Sequence, residues 1–136
     1  MTRRSTHRLL LDTHIWYWYV SGSRDLSGSL RDAVDDALGM CWLSPISVWE
    51  LGVLVTKGRI RLNLDYERWT QQAFTGFPVR EAPVNFEVAQ QVRGLELGHA
   101  DPGDRFLAAT ALIYDLTLVT VDRRLIDATW LPTLTS

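Results

Sequence analysis

Four acids stand at positions where a folded chain gains little from a charge, and together they could hold a hard cation. Asp12 follows Leu9-Leu10-Leu11, an apolar run that reads as a buried strand, and Asp122 follows Leu118-Val119-Thr120-Val121 in the same way. Ligands of open α/β sheets bind beyond the carboxyl ends of the strands. If these two strands are neighbours, both carboxylates enter one crevice. Either acid alone is equally well a turn residue or the N-cap of the next helix; the pair favours a site. Glu50 lies within Ile46-Ser47-Val48-Trp49-Glu50-Leu51-Gly52-Val53-Leu54-Val55, which is apolar on nearly every side, as expected of a helix buried all round. A buried glutamate needs a partner or a metal, and a salt bridge to an arginine is the plain alternative. In Asp101-Pro102-Gly103-Asp104, the N-cap and N3 positions of a helix explain Asp101 better than Asp104. Ala108, Ala109 and Ala111 let that helix approach the sheet and would carry Asp104 toward the strand ends. Acids gathered in one pocket do not all stay ionised without a counter-charge. An all-oxygen set with no His/Cys ligand pattern selects Mg²⁺ or Mn²⁺, ions that commonly activate water against a phosphodiester. The spacing alone therefore points to a divalent-metal phosphoryl hydrolase.

The elements that must position these acids alternate in type, the mark of an α/β sheet. Arg8–Thr13 reads as a central parallel strand, His14–Val20 as a short aromatic helix and Ser27–Leu38 as an amphipathic helix. Met40–Leu43 is the next strand. Ser44 and Pro45 then supply the N-cap and N1 of a helix to about Thr56, which Gly58 closes. Helices follow at Asp65–Phe74 and Asn85–Leu95, with a short strand at Val79–Ala82 between them. Asp101-Pro102 opens a helix to Tyr114. Leu116–Val121 is a strand, Arg123–Ala128 a short helix and Trp130–Leu134 a last strand. Right-handed crossovers would place helices on both faces of the sheet.

With 136 residues and no internal repeat or linker, the chain reads as one domain spanning 1–136. One cysteine, Cys41, excludes a disulfide-stapled fold and reads as a small buried side chain. Arg3-Arg4 is not followed by the apolar stretch an export signal needs, and no membrane span is present, so a cytoplasmic protein is expected. The net charge of -2 argues at first against a nucleic-acid partner. Once four of the 16 acids are assigned to a metal site, however, the 14 basic residues outnumber the rest.

Leu9-Leu10-Leu11-Asp12-Thr13-His14, Ser44-Pro45-Ile46-Ser47-Val48-Trp49-Glu50, His99-Ala100-Asp101-Pro102-Gly103-Asp104-Arg105-Phe106-Leu107-Ala108-Ala109-Thr110-Ala111 and Leu118-Val119-Thr120-Val121-Asp122 resemble the motifs of PIN-domain nucleases, in the same order. More closely they resemble the ribonuclease toxins of VapBC toxin–antitoxin pairs, a likeness that runs from Leu9 to about Asp122 and includes the helix exit Lys57-Gly58-Arg59-Ile60. The resemblance implies a three-layer fold with a parallel, about five-stranded sheet between helices. It implies an endoribonuclease that depends on Mg²⁺ or Mn²⁺ and leaves a 5′-phosphate and a 3′-hydroxyl. A cognate VapB-type antitoxin, a homodimer and an RNA substrate, with tRNA the family-level expectation, follow from it too. The family's metal-binding acids map onto Asp12, Glu50, Asp104 and Asp122. Asp101 falls on an accessory acid and Thr120 on a hydroxyl that contacts the site acids; Thr13 and His14, next after Asp12, are further accessory candidates. Gly103 departs from the bulky apolar residue many relatives carry there.

Lys57, Arg59 and Arg61, and Arg123 with Arg124, are candidate phosphate contacts. Arg105 is a candidate partner for a site acid. His14 and His99 adjoin site acids and read as structural or hydrogen-bonding residues before ligands. Trp16-Tyr17-Trp18-Tyr19 spreads aromatics over every face of a helix, which suggests a protein interface, as does Trp49. A receiver domain would need a lysine late in the chain, and the only one is Lys57. A dehalogenase-type phosphatase would carry Asp where His14 stands, and a dinucleotide binder would have glycines after the first strand. The surviving alternative is a catalytically silent PIN-like binding module.

Overall fold

The computed structural model describes residues 7–98 and 101–136; Arg3-Arg4 and His99 lie outside them. Strands of two or three residues suffice to build the sheet because its central strand is buried on both faces. β1 (Leu9–Leu11) is buried at every position. It pairs in parallel with β2 (Cys41–Leu43) on one side and with β4 (Thr117–Val119) on the other. β3 (Arg80–Glu81) extends the sheet beyond β2, and β5 (Thr133–Leu134) beyond β4, giving the order β3-β2-β1-β4-β5 with all pairs parallel. The strand order thus reverses between β1 and β4. This is the topological switch point where open α/β sheets bind ligands.

The alternation of side chains along β1 divides the core. Leu9 and Leu11 face a cluster built with α1 (Thr13–Ser21), α2 (Gly28–Asp36), α3 (Pro45–Thr56) and α4 (Tyr66–Gly76). Leu10 faces a second cluster built with α5 (Phe86–Arg93), α6 (Pro102–Tyr114) and α7 (Arg123–Ile126). Helices therefore cover both faces, as the alternating pattern required. Cys41 is buried, and burial pushes its thiol up to about 11, the behaviour of an apolar side chain. Among the described residues no helix is long and apolar enough to cross a membrane.

Caps set the helix starts where the local chemistry says they should be. Ser44 accepts from the Ile46 amide with Pro45 at the first helical position, and Asp65, Asn85 and Asp101 each accept from the amide three residues on. Gly58, at φ 71°, ends the segment after α3 in the left-handed region that favours glycine. Two expectations are corrected. α3 is not buried all round: only Ser47 and Leu51 are, and Trp49 is 63% exposed. Nor are the α1 aromatics spread too widely to share one core. Trp16 is fully buried, stacked on Phe74 and edge-on to Trp69, while Tyr17, Trp18 and Tyr19 pack half-buried against the same cluster.

Candidate active site

Asp12 leaves the carboxyl end of β1 and caps α1. Its Oδ1 accepts from the Thr13 amide at 2.7 Å, and its Oδ2 accepts from the Thr120 hydroxyl at 2.7 Å. Thr120 reaches it because the Asp12 amide donates to Val119 across the β1–β4 pair at 3.1 Å, which holds the two strand ends side by side. The same Thr120 hydroxyl accepts from the Asp122 amide at 3.1 Å, so one buried threonine ties both strand-end acids together. The turn and cap roles of these acids and the site role coexist: Asp122 also caps α7 through the Arg124 amide at 2.9 Å.

Glu50 projects from α3 beside β1. Its Oε1 accepts from the Thr13 hydroxyl at 2.6 Å, so a neutral hydroxyl, not an arginine, is its partner. Its Oε2 leans over the amino end of α6, where a Cβ on Gly103 would stand 2.5 Å from it. The absent side chain at Gly103 is therefore what makes room for Glu50. Asp104 enters from the first turn of α6, with its amide donating to Asp101 Oδ1 at 2.8 Å. It is only 7% exposed, and its Oδ2 is sealed from solvent with no hydrogen-bond partner.

One crevice is lined by Asp12, Thr13, His14, Glu50, Asp101, Asp104 and Asp122, together with Arg59 and Arg124, and has a volume of about 460 Å³. The structure thus brings together the four principal acids and the accessory residues expected from sequence, with Thr120 directly beneath them. It does not bring in every basic residue. Lys57 lines a separate groove with Trp49 and Tyr66, Arg61 lines another with Tyr17 and Trp69, and Arg123 is exposed on α7. Arg105 does not pair with a site acid; it donates to the carbonyls of Leu95 and Leu97, at 3.3 and 2.7 Å. Arg124 was grouped with its neighbour Arg123, and only the offset of one residue along α7 puts it at the crevice. Its guanidinium stands 3.2 Å from Asp122 Oδ2 and 3.5 Å from Asp104 Oδ2.

Burial raises the pKa of Asp12, and the Thr120 hydroxyl, the Thr13 amide and His14 only partly offset it. Burial also raises Glu50, with Asp12 and Asp101 adding repulsion against the Thr13 hydrogen bond. Asp104 is pushed up to about 7, first by burial and then by Asp101, Asp122 and Asp12, while Arg124 opposes the rise. Among the described residues no three His, Cys, Asp or Glu side chains converge as a ready ligand cage. Asp12 and Glu50 are held by threonines, and Arg124 lies across Asp104 and Asp122. The donor set still fits a hard divalent cation: it is all oxygen, its charges repel one another, and Asp104 Oδ2 is an orphaned acceptor inside it.

The sequence matches the PIN domain family over residues 9–131. It is 34% identical over 118 residues to Ribonuclease VapC22 of Mycobacterium tuberculosis, covering 86% of this chain and 88% of that protein. The fold is similar to VapBC2 of Rickettsia felis bound to a DNA fragment from its promoter, with a TM-score of 0.70 at 15% identity, covering 94% of this chain and 98% of that one. It is also similar to DNA-bound VapBC of Salmonella typhimurium, with a TM-score of 0.69 at 16% identity, covering 96% and 98%. The chain belongs to the PIN-domain family, on its VapC-type branch.

Two outcomes follow from the geometry. Asp104 holds a proton in the folded chain that the unfolded chain releases near 3.8, so metal-free stability should fall as pH rises from about 4 to about 7, by at most about 4 kcal/mol. Urea midpoints in EDTA at pH 5 and pH 8 measure this. Asp104→Asn should flatten the slope, and an unchanged slope in that variant would refute the assignment. Gly103→Ala should displace the flexible end of Glu50, not the backbone. Cleavage of RNA should drop on the order of 10–100-fold, while the better helix former keeps the melting temperature level or raises it. Wild-type activity in that variant would show that Glu50's position is immaterial.

Proposed function

We propose that this chain is a cytoplasmic endoribonuclease toxin of a toxin–antitoxin pair, dependent on Mg²⁺ or Mn²⁺ and restrained by a cognate VapB-type antitoxin. The observation that carries this reading is the gathering of Asp12, Glu50, Asp104 and Asp122 around one crevice at the β1/β4 switch point. The likeness to a curated ribonuclease over most of the chain supports the reaction, and the likeness to VapBC assemblies supports the partner.

Asp12, Asp104 and Asp122 would hold the ion, with Glu50 completing its surroundings directly or through a hydrogen bond. When bound, Mg²⁺ or Mn²⁺ supplies Lewis acidity and positive charge beside the scissile phosphodiester. The rest falls to the chain itself. The Thr120 hydroxyl and the Thr13 amide fix both oxygens of Asp12, so the carboxylate does not need to be ordered when substrate arrives. The Thr13 hydroxyl does the same for Glu50. Arg59, His14 and Arg124, all lining the crevice, are placed to meet phosphate oxygens of the bound strand. Lys57, Arg61 and Arg123 stand farther out and would touch only a longer stretch of RNA. Exposed Trp49 and Phe74, lining an apolar groove with Val48 and Pro78, support a protein interface for the antitoxin or a second copy. The full set of acids speaks against a catalytically silent binding module.

Asp12→Asn keeps an oxygen for the Thr13 amide and an amide group for Thr120, and removes the charge. It should abolish Mg²⁺-dependent, EDTA-sensitive cleavage of RNA while the melting temperature stays within a few degrees of wild type. Undiminished metal-dependent cleavage by the purified variant would overturn the proposal.

A further inference from the structure

We propose that Arg124 is a tethered counter-cation that competes with the divalent metal for Asp104 and Asp122, so that metal entry and release of this guanidinium form one coupled event. This rests on the crevice being a metal site.

The guanidinium forks around Asp122. Nε donates to Oδ1 at 3.4 Å and Nη2 to Oδ2 at 3.2 Å, while the Arg124 backbone amide also donates to Oδ1 at 2.9 Å. The same Nη2 stands 3.5 Å from Asp104 Oδ2. One cation therefore spans an acid from α6 and an acid from the β4–α7 junction. The two contacts differ in kind. At Asp122 the guanidinium makes charge-assisted hydrogen bonds. At Asp104 it offers charge without a hydrogen bond, because Oδ2 has no hydrogen-bond partner although it is sealed from solvent. Arg124 thus offsets part of the charge of Asp104 without satisfying it. A hard cation, which draws carboxylate oxygens to roughly 2.0–2.1 Å for Mg²⁺, would do both.

The mounting suits displacement. The Arg124 side chain is 53% exposed, so the guanidinium stays partly hydrated and water weakens its hold on the two acids. Its backbone is held by the cap bond to Asp122 through the amide and not the guanidinium, so α7 keeps its anchor when the guanidinium leaves the two acids. Swung out, it leaves a forked cation on the lip of the crevice, with the planar donor geometry that suits a phosphate. In the absence of metal the same group limits the repulsion between two acids that the fold forces together.

The test is a calorimetric titration of Mn²⁺ into the EDTA-stripped full-length protein, wild type against Arg124→Gln, with the melting temperature of each metal-free form. Arg124→Gln should bind Mn²⁺ roughly two- to tenfold more tightly and melt at a lower temperature without metal. Should that variant fail to fold, Arg124→Lys serves: a single ammonium spans the two acids less well, so Mn²⁺ should again bind more tightly than in wild type. Equal or weaker Mn²⁺ binding by a folded variant would overturn the competition and make Arg124 an organiser of the acids instead. Wild-type protein that binds no Mn²⁺ would remove the metal site itself, and this proposal with it.

Discussion

Like charges forced together in a partly buried crevice are the constraint on which the rest of this protein depends. Asp104 is nearly sealed, Asp12 and Glu50 are raised by burial, and Asp101 and Asp122 add repulsion. Such an arrangement costs stability in the free chain. It persists because surrounding groups hold each acid in part: two threonine hydroxyls, the Thr13 and Asp104 amides, and one half-exposed arginine. None of these supplies the full counter-charge. The deficit is what a divalent cation would fill, and it is carried at the expense of the fold.

The topology brings the acids together with very little material. Reversal of strand order between β1 and β4 leaves a gap above two adjacent strand ends, and Asp12 and Asp122 occupy them. α3 delivers Glu50 from one face of the sheet, and α6 delivers Asp104 from the other. The amino ends of α1 and α6 both meet the crevice, so their dipoles offset some of the acidic charge. Three of the acids that line the site, Asp12, Asp101 and Asp122, are therefore also caps, and there one carboxylate serves backbone and site together. Gly103 belongs to the same economy of space: only a residue without a side chain leaves Glu50 where it is.

Much of this was legible in the sequence because its cause is local. An acid straight after an apolar strand, Ser44-Pro45 at a helix start, Asp101 ahead of a small-residue helix and Gly58 after a helix each declare themselves within a few residues. What was missed depends on contacts far along the chain. Periodicity said that α3 is apolar all round but not which faces the other elements leave bare, so a helix read as buried on every side leaves Trp49 exposed. Arg105 looked like a partner for an acid because the unpaired carbonyls of Leu95 and Leu97 carry no signature in the sequence. Arg123 and Arg124 are alike in sequence, and about 100° of helical rotation decides that the second meets the acids. The neutral partner of Glu50, Thr13, lies 37 positions away; it reads in the sequence as an accessory residue beside Asp12, but its pairing with Glu50 does not.

The net charge of -2 is then less a statement about partners than about this crevice, where the acidic excess is concentrated in a sequence that is otherwise slightly basic. The most direct measurement is the melting temperature of the EDTA-stripped protein as Mn²⁺ is added in the millimolar range. A cation that relieves the clustered acids binds only the folded chain, so the melting temperature should climb with the logarithm of Mn²⁺ concentration. The climb should be lost when Asp12 and Asp104 are both replaced by Asn. A melting temperature that does not respond to Mn²⁺ in the wild-type protein would contradict the view that these acids are held together for a metal.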